Sequence, residues 1–122
     1  MQPDPRDPAS LADMLQATAK LTRYLTGKSY EALLADEMLQ DAVVRQFTVL
    51  GEAAARVSEA TRVLEPRIAW TSVVGMRNVI THRYDEVDYG ELWRTFRRDV
   101  PEIHDYVIRL LERVQADDSE LA

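Results

Sequence analysis

The stretch from Val43 to Leu64 constrains the fold more than any other part of the sequence. Val43, Phe47, Leu50, Ala54, Val57 and Leu64 follow one another in alternating steps of three and four, with Thr61 filling the remaining slot. At about 100° of rotation per residue, that spacing lines the side chains along one helix face and demands a partner surface. A long helix is predicted over about 36–64, closed by Pro66. Gly51, Ala53, Ala54 and Ala55 make one stretch of it thin, so a second element can approach closely there.

The rest of the chain follows the same helical period, with no convincing two-residue alternation. A first helix is predicted from Ser10, as N-cap, to about Thr26. Leu11, Met14, Leu15, Leu21 and Leu25 form its stripe, and Gly27 stops it. A short turn or helix over 29–35 follows. Another helix starts near Trp70–Ser72, carries Val73, Val74, Met76, Val79 and Ile80, and ends around His82–Tyr84. Asp88-Tyr89-Gly90-Glu91 reads as a capping box opening a short helix with Leu92, Trp93 and Phe96. Asp99-Val100-Pro101-Glu102 is a second such signal. It opens a last helix with Val100, Ile103, Val107, Leu110, Leu111 and Val114 on its stripe. The expected fold is all-α, an antiparallel bundle of four longer helices plus short ones, in one domain over 10–115. Residues 1–9 are expected as a disordered or extended arm, and 116–122 as a frayed acidic tail.

Composition narrows the function. The 122 residues contain no cysteine, which excludes a disulfide framework, a thiolate metal site and a cysteine nucleophile. The polar, proline-rich start MQPDPRDPAS lacks the apolar core of a signal peptide, and no apolar run approaches the ~20 residues of a bilayer span. A cytoplasmic protein without membrane contact is expected. The net charge of −6 argues against a broad nucleic-acid coat. Charge is unevenly spread, however: between Arg67 and Arg98 six arginines face four acids, a local excess of +2 on an acidic body. That suits a local basic site, and the acidic remainder suits a protein partner.

The chemistry concentrates in Gly75-Met76-Arg77-Asn78-Val79-Ile80-Thr81-His82-Arg83-Tyr84-Asp85-Glu86-Val87-Asp88, which joins an arginine, an asparagine, a histidine, a tyrosine and several acids. On a helix, Asn78 and His82 fall on nearly one face, while Arg77 stands about 140° from His82. Arginine and histidine together suit RNA cleavage without a metal, because the substrate supplies its own nucleophile, the 2′-hydroxyl. Imidazole, with an ordinary pKa of ~6.5, moves protons near neutrality. Guanidinium stays charged and matches the phosphate oxygens as charge builds there. Asn78 orients the histidine or binds the phosphate. Spacing alone is weak evidence for catalysis: an arginine and a histidine five apart are common, and His82 as a cap on the carbonyls of its helix is the readier reading.

A longer series of landmarks bears on the choice. Tyr24-Leu25-Thr26-Gly27-Lys28, Asp41-Ala42-Val43, Leu50-Gly51-Glu52-Ala53-Ala54, Ile68-Ala69-Trp70, Gly75-Met76-Arg77-Asn78, His82-Arg83-Tyr84, Val87-Asp88, Trp93 and Val100-Pro101 stand in one order. From Leu11 to Val114 the sequence resembles the HepT-like branch of the HEPN superfamily, with its signature of Arg, four residues, His, one residue, Tyr intact. One departure is Ala69, where members of the family often have proline before the tryptophan.

The resemblance implies a HEPN helical bundle and a metal-independent endoribonuclease with Arg77 and His82 as the catalytic positions and no cofactor. It implies the toxin half of a two-component toxin–antitoxin system, and homodimers whose motifs face a shared cleft, which answers the 140° offset. It also implies a minimal nucleotidyltransferase as antitoxin, able to adenylylate Tyr84. A nucleotide there would block RNA by bulk and by like charge two residues from His82. The rival reading is a catalytically silent subunit that docks a nucleotidyltransferase or recognises its substrate; a plain helical dimerisation domain stands behind it.

Other residues divide between chemistry and structure. Arg83, Arg94, Arg97 and Arg98 read as RNA contacts, the last three equally as partners of Glu91 and Glu102. Trp70 and Trp93 stack on bases or pack in the core, and core is the expected role. Asp36, Glu37, Asp41, Glu52 and Glu59 are expected on solvated faces and no metal site is expected, while His104 is expected at a surface or packed against a neighbour.

Overall fold

The computed structural model describes residues 1–78 and 87–121, with side chains described as far as 117. Among these residues the chain is all-helical, without a strand. In order come α1 (Asp7–Leu25), α2 (Tyr30–Ala35), α3 (Glu37–Arg56), α4 (Glu59–Arg62), α5 (Trp70–Gly75), a 3-10 turn (Met76–Asn78), α6 (Tyr89–Arg98) and α7 (Val100–Leu121).

α1 packs along both α3 and α7, and it runs antiparallel to each. Asp13 near its start pairs with Arg56 at the end of α3, at 3.1 Å. Thr18 Oγ1 lies 2.7 Å from His104 Nδ1, which fixes His104 as a tie between α1 and α7. Two apolar clusters fill the interior. One joins Leu11, Met14, Leu50, Ala54, Ile103 and Leu110; the other joins Leu21, Leu25, Val43, Phe47, Leu92 and Val100. The seam residues Val43, Phe47, Leu50, Ala54 and Val57 are all buried, as their spacing requires.

The long helix predicted to Leu64 instead stops at Arg56, where Val57 turns extended (φ −71°, ψ 128°) and α4 starts afresh. Its cause is Asp7, whose carboxylate is fully buried. That carboxylate accepts from the Ser58 amide (3.0 Å), Ser58 Oγ (2.5 Å), Thr61 Oγ1 (2.6 Å) and the Asp4 amide (3.2 Å). A continuous helix would have kept the Ser58 amide for its own ladder. The freed end of α3 is closed by Arg62, which donates to the carbonyls of Ala54, Ala55 and Val57. Thr61 thus serves the seam as an anchor for the carboxylate.

The first helix likewise begins at Asp7 rather than at Ser10, with Pro8 in its first turn, where a missing N–H costs nothing. Ser10 is buried inside the helix and caps nothing, and residues 7–9 belong to the bundle instead of the expected arm. At the other end α7 continues to Leu121, past the expected limit at 115; neither glycine nor proline interrupts it there. The short elements start where predicted. Ser29 Oγ accepts from the Ala32 amide (3.0 Å) and Asp88 Oδ1 from the Glu91 amide (3.0 Å). Among the described residues, no helix is long and apolar enough to cross a membrane.

Candidate active site

The helix expected from Trp70–Ser72 changes form before Arg77, and its expected end around His82–Tyr84 lies outside the described residues. α5 ends at Gly75, and Met76–Asn78 tighten into a 3-10 turn. Such a tightening crowds i and i+3 side chains and often marks a functional bend. Two contacts hold this one in place. Met76 packs against both apolar clusters, bridging them. Arg77 lies directly over Gly51 of α3: a Cβ built there would fall 3.0 Å from Arg77 Cα and closer still to its amide nitrogen. The thin stretch of α3 is therefore the seat of the Arg77 turn. That close approach is what requires glycine at position 51.

The result is a cation carried on a fixed backbone with its side chain in solvent. Arg77 is exposed, and no described residue pairs with its guanidinium. Asn78 beside it is exposed as well. His82, Arg83 and Tyr84 lie outside the described residues. On the far side of that segment Val87 packs against the second cluster, and Asp88 caps α6.

Val87 and Tyr89 face α3 across a groove of about 400 Å³ that is also lined by Glu37, Asp41, Arg45 and Thr48. Partial burial raises the Tyr89 phenol above its ordinary pKa, and the Asp41 and Glu37 carboxylates push it the same way. Asp36 caps α3 by accepting from the Leu39 amide at 3.1 Å. Among the described residues, no group of three or more His, Asp or Glu side chains is placed to hold a metal ion.

The remaining candidates separate. Trp70 is structural: its Nε1 donates to the Glu65 carbonyl (3.1 Å), and the Arg62 guanidinium lies 5.6 Å from the ring centroid. Trp93 is half-buried, tilted against Tyr30 and Phe96 at centroid distances of 6.3 and 5.7 Å. Arg94 pairs with Glu91 (2.9 Å) and Arg98 with its neighbour Asp99 (3.1 Å), whereas Arg97 has no described ion-pair partner. The Asp7 anchor has no counterpart among the residues singled out from the sequence, and Lys28, one of the landmarks, stands exposed at the turn after α1. The serine and threonine of Ser58-x-x-Thr61 are a visible trace of the anchor, but nothing in the sequence ties them to Asp7.

A family model described as Ribonuclease HepT-like matches residues 14–110 of the chain. A Methanocaldococcus jannaschii protein named "Putative RNase" is 30% identical over 95 residues, covering 78% of this chain and 87% of its own. A Thermococcus cleftensis protein named "Probable ribonuclease HepT" is 30% identical over 93 residues, covering 76% and 84%. A "Putative RNase" of Caldanaerobacter subterraneus is 29% identical over 103 residues, covering 84% and 92%. No solved structure matches.

Proposed function

Since the chain belongs to the HepT-like ribonuclease family, we propose that it is a metal-independent endoribonuclease, the toxin of a toxin–antitoxin pair, with Arg77 and His82 as its catalytic residues. The observation that carries this reading is the exposed Arg77 guanidinium, without an ion-pair partner among the described residues, on a turn braced by Gly51 and Met76. A cation that stabilises a transition state acts best when already aimed and not engaged by a neighbouring acid.

In the proposed reaction the 2′-hydroxyl gives up its proton and its oxygen attacks the adjacent phosphorus. The bond from phosphorus to the 5′-oxygen breaks, and a proton passes to that leaving oxygen. His82 moves protons, Arg77 offsets the charge on the non-bridging oxygens, and Asn78 positions imidazole or phosphate. The products are a 2′,3′-cyclic phosphate and a 5′-hydroxyl. Two copies facing one cleft bring an arginine and a histidine to each phosphate. A minimal nucleotidyltransferase silences the toxin by adenylylating Tyr84, placing an anionic nucleotide next to His82.

Expression of the wild type, Arg77→Ala and His82→Ala, followed by growth and RNA integrity, tests this reading. The wild type should slow growth and degrade RNA, both variants should do neither, and the purified wild type should cut RNA in EDTA. A wild type that leaves RNA and growth untouched while binding a neighbouring nucleotidyltransferase tightly would make the chain a docking subunit.

A further inference from the structure

A groove runs between the turn that ends α1 and the outer face of α6. One arm, about 320 Å³, is lined by Thr22, Thr26, Lys28, Trp93, Phe96 and Arg97 among others. The second arm, about 380 Å³, is lined by Trp93, Arg94, Arg97 and Arg98. Trp93 and Arg97 line both arms, so the two meet at an indole and a guanidinium.

The charges are of one sign and only partly neutralised. Glu91 and Asp99 hold Arg94 and Arg98, but no described residue pairs with Lys28 or Arg97. On a chain of net charge −6, four cations around a half-buried aromatic ring are a local inversion. The indole is pinned by Tyr30 and Phe96 and still lines the open groove, which gives a stacking surface that costs little ordering on binding.

We propose that this groove is a single-stranded RNA subsite, with a base stacked on Trp93 and flanking phosphates held by Lys28 and Arg97. It deepens the ribonuclease reading and rests on it: the groove takes the class of strand which that reading makes the substrate. Stacking platforms between cations bind single strands with little sequence preference, because every base has a flat face and every linkage a charge. A duplex keeps its base faces covered, and an acidic protein segment would answer the cations while leaving the indole unused.

Trp70→Phe leaves Trp93 as the sole tryptophan of the chain's two. In that background, with Arg77→Ala to prevent cutting, oligoadenylate should quench Trp93 emission. Lys28→Glu with Arg97→Glu, both exposed and expected to fold, should weaken binding about ten-fold or more and lower the salt dependence by about two phosphates. Unchanged emission, equal affinity in the charge-reversed variant, or quenching by polyglutamate as strong as by RNA would overturn the subsite; the last would assign the groove to an acidic protein. Wild-type cleavage is scored separately, so a nuclease without the subsite and a subsite without nuclease activity are told apart.

Discussion

Two helices of this protein break, and the breaks are put to opposite uses. At Val57 the interruption is closed completely: the buried Asp7 carboxylate takes up the Ser58 amide and two hydroxyls, and Arg62 takes up the carbonyls left by α3. At Gly75 the chain tightens into a 3-10 turn that is anchored from beneath by Met76 and Gly51, yet its arginine is left to solvent. One break consumes its polar groups for stability. The other leaves a cation exposed, as the proposed chemistry requires. Among the described residues, no buried side-chain polar atom lacks a partner, so the available charge is confined to the surface.

The contrast is sharpest in a pair of substitutions. Arg77→Ala should lower the RNA cleavage rate by about 10²–10³-fold, the usual loss for one transition-state donor, while the thermal midpoint stays put. Asp7→Asn should do the reverse, costing about 2–3 kcal/mol in denaturant unfolding while the folded fraction cuts RNA normally. The pH dependence follows from the same group. Burial pushes the Asp7 carboxyl up, but the hydrogen bonds from Ser58, Thr61 and Asp4 outweigh it and hold the pKa below its ordinary value. A depressed folded pKa means that the stabilisation is present above the unfolded value of ~3.9 and drains away as pH falls through the folded one. Acid titration of stability should therefore show a wild-type loss in that range that Asp7→Asn lacks.

Gly51→Ala joins the two regions, because the new methyl would collide with the Arg77 backbone from within α3. An overpacking cost of about 1–3 kcal/mol is expected, with a fall in cleavage rate beyond what lost folding accounts for. Unfolding curves beside rates at saturating RNA check this; an unchanged rate per folded molecule would break the link between seat and site. The smallest effect is expected at Asp88→Ala, which removes the cap of α6 and should cost about 1 kcal/mol by thermal unfolding.

Local signals made part of this legible in the sequence. The starts at Ser29 and Asp88 are set within three residues and were readable from it, as was the thin stretch of α3 that proved to seat Arg77. What stayed hidden depends on distant partners. Ser58 and Thr61 alone do not announce a break at Val57, because the carboxylate that imposes it comes from 51 residues upstream of Ser58. Ser10 looked like a cap since it precedes the apolar stripe, but the Asp7 anchor starts the helix earlier and turns that serine inward. Arg77 as a candidate came from the family signature, because residue type and spacing alone left its chemistry open. The 3-10 turn at Met76–Asn78 was hidden, because Val73, Val74 and Met76 keep a helical spacing up to it.

The most direct test is end-group analysis of RNA cut by the purified protein in EDTA under single-turnover conditions, with Arg77→Ala and His82→Ala alongside. The account predicts 2′,3′-cyclic phosphate and 5′-hydroxyl ends from the wild type, and their near disappearance in both folded variants. Ends bearing a 5′-phosphate, or undiminished cutting without the guanidinium, would contradict it.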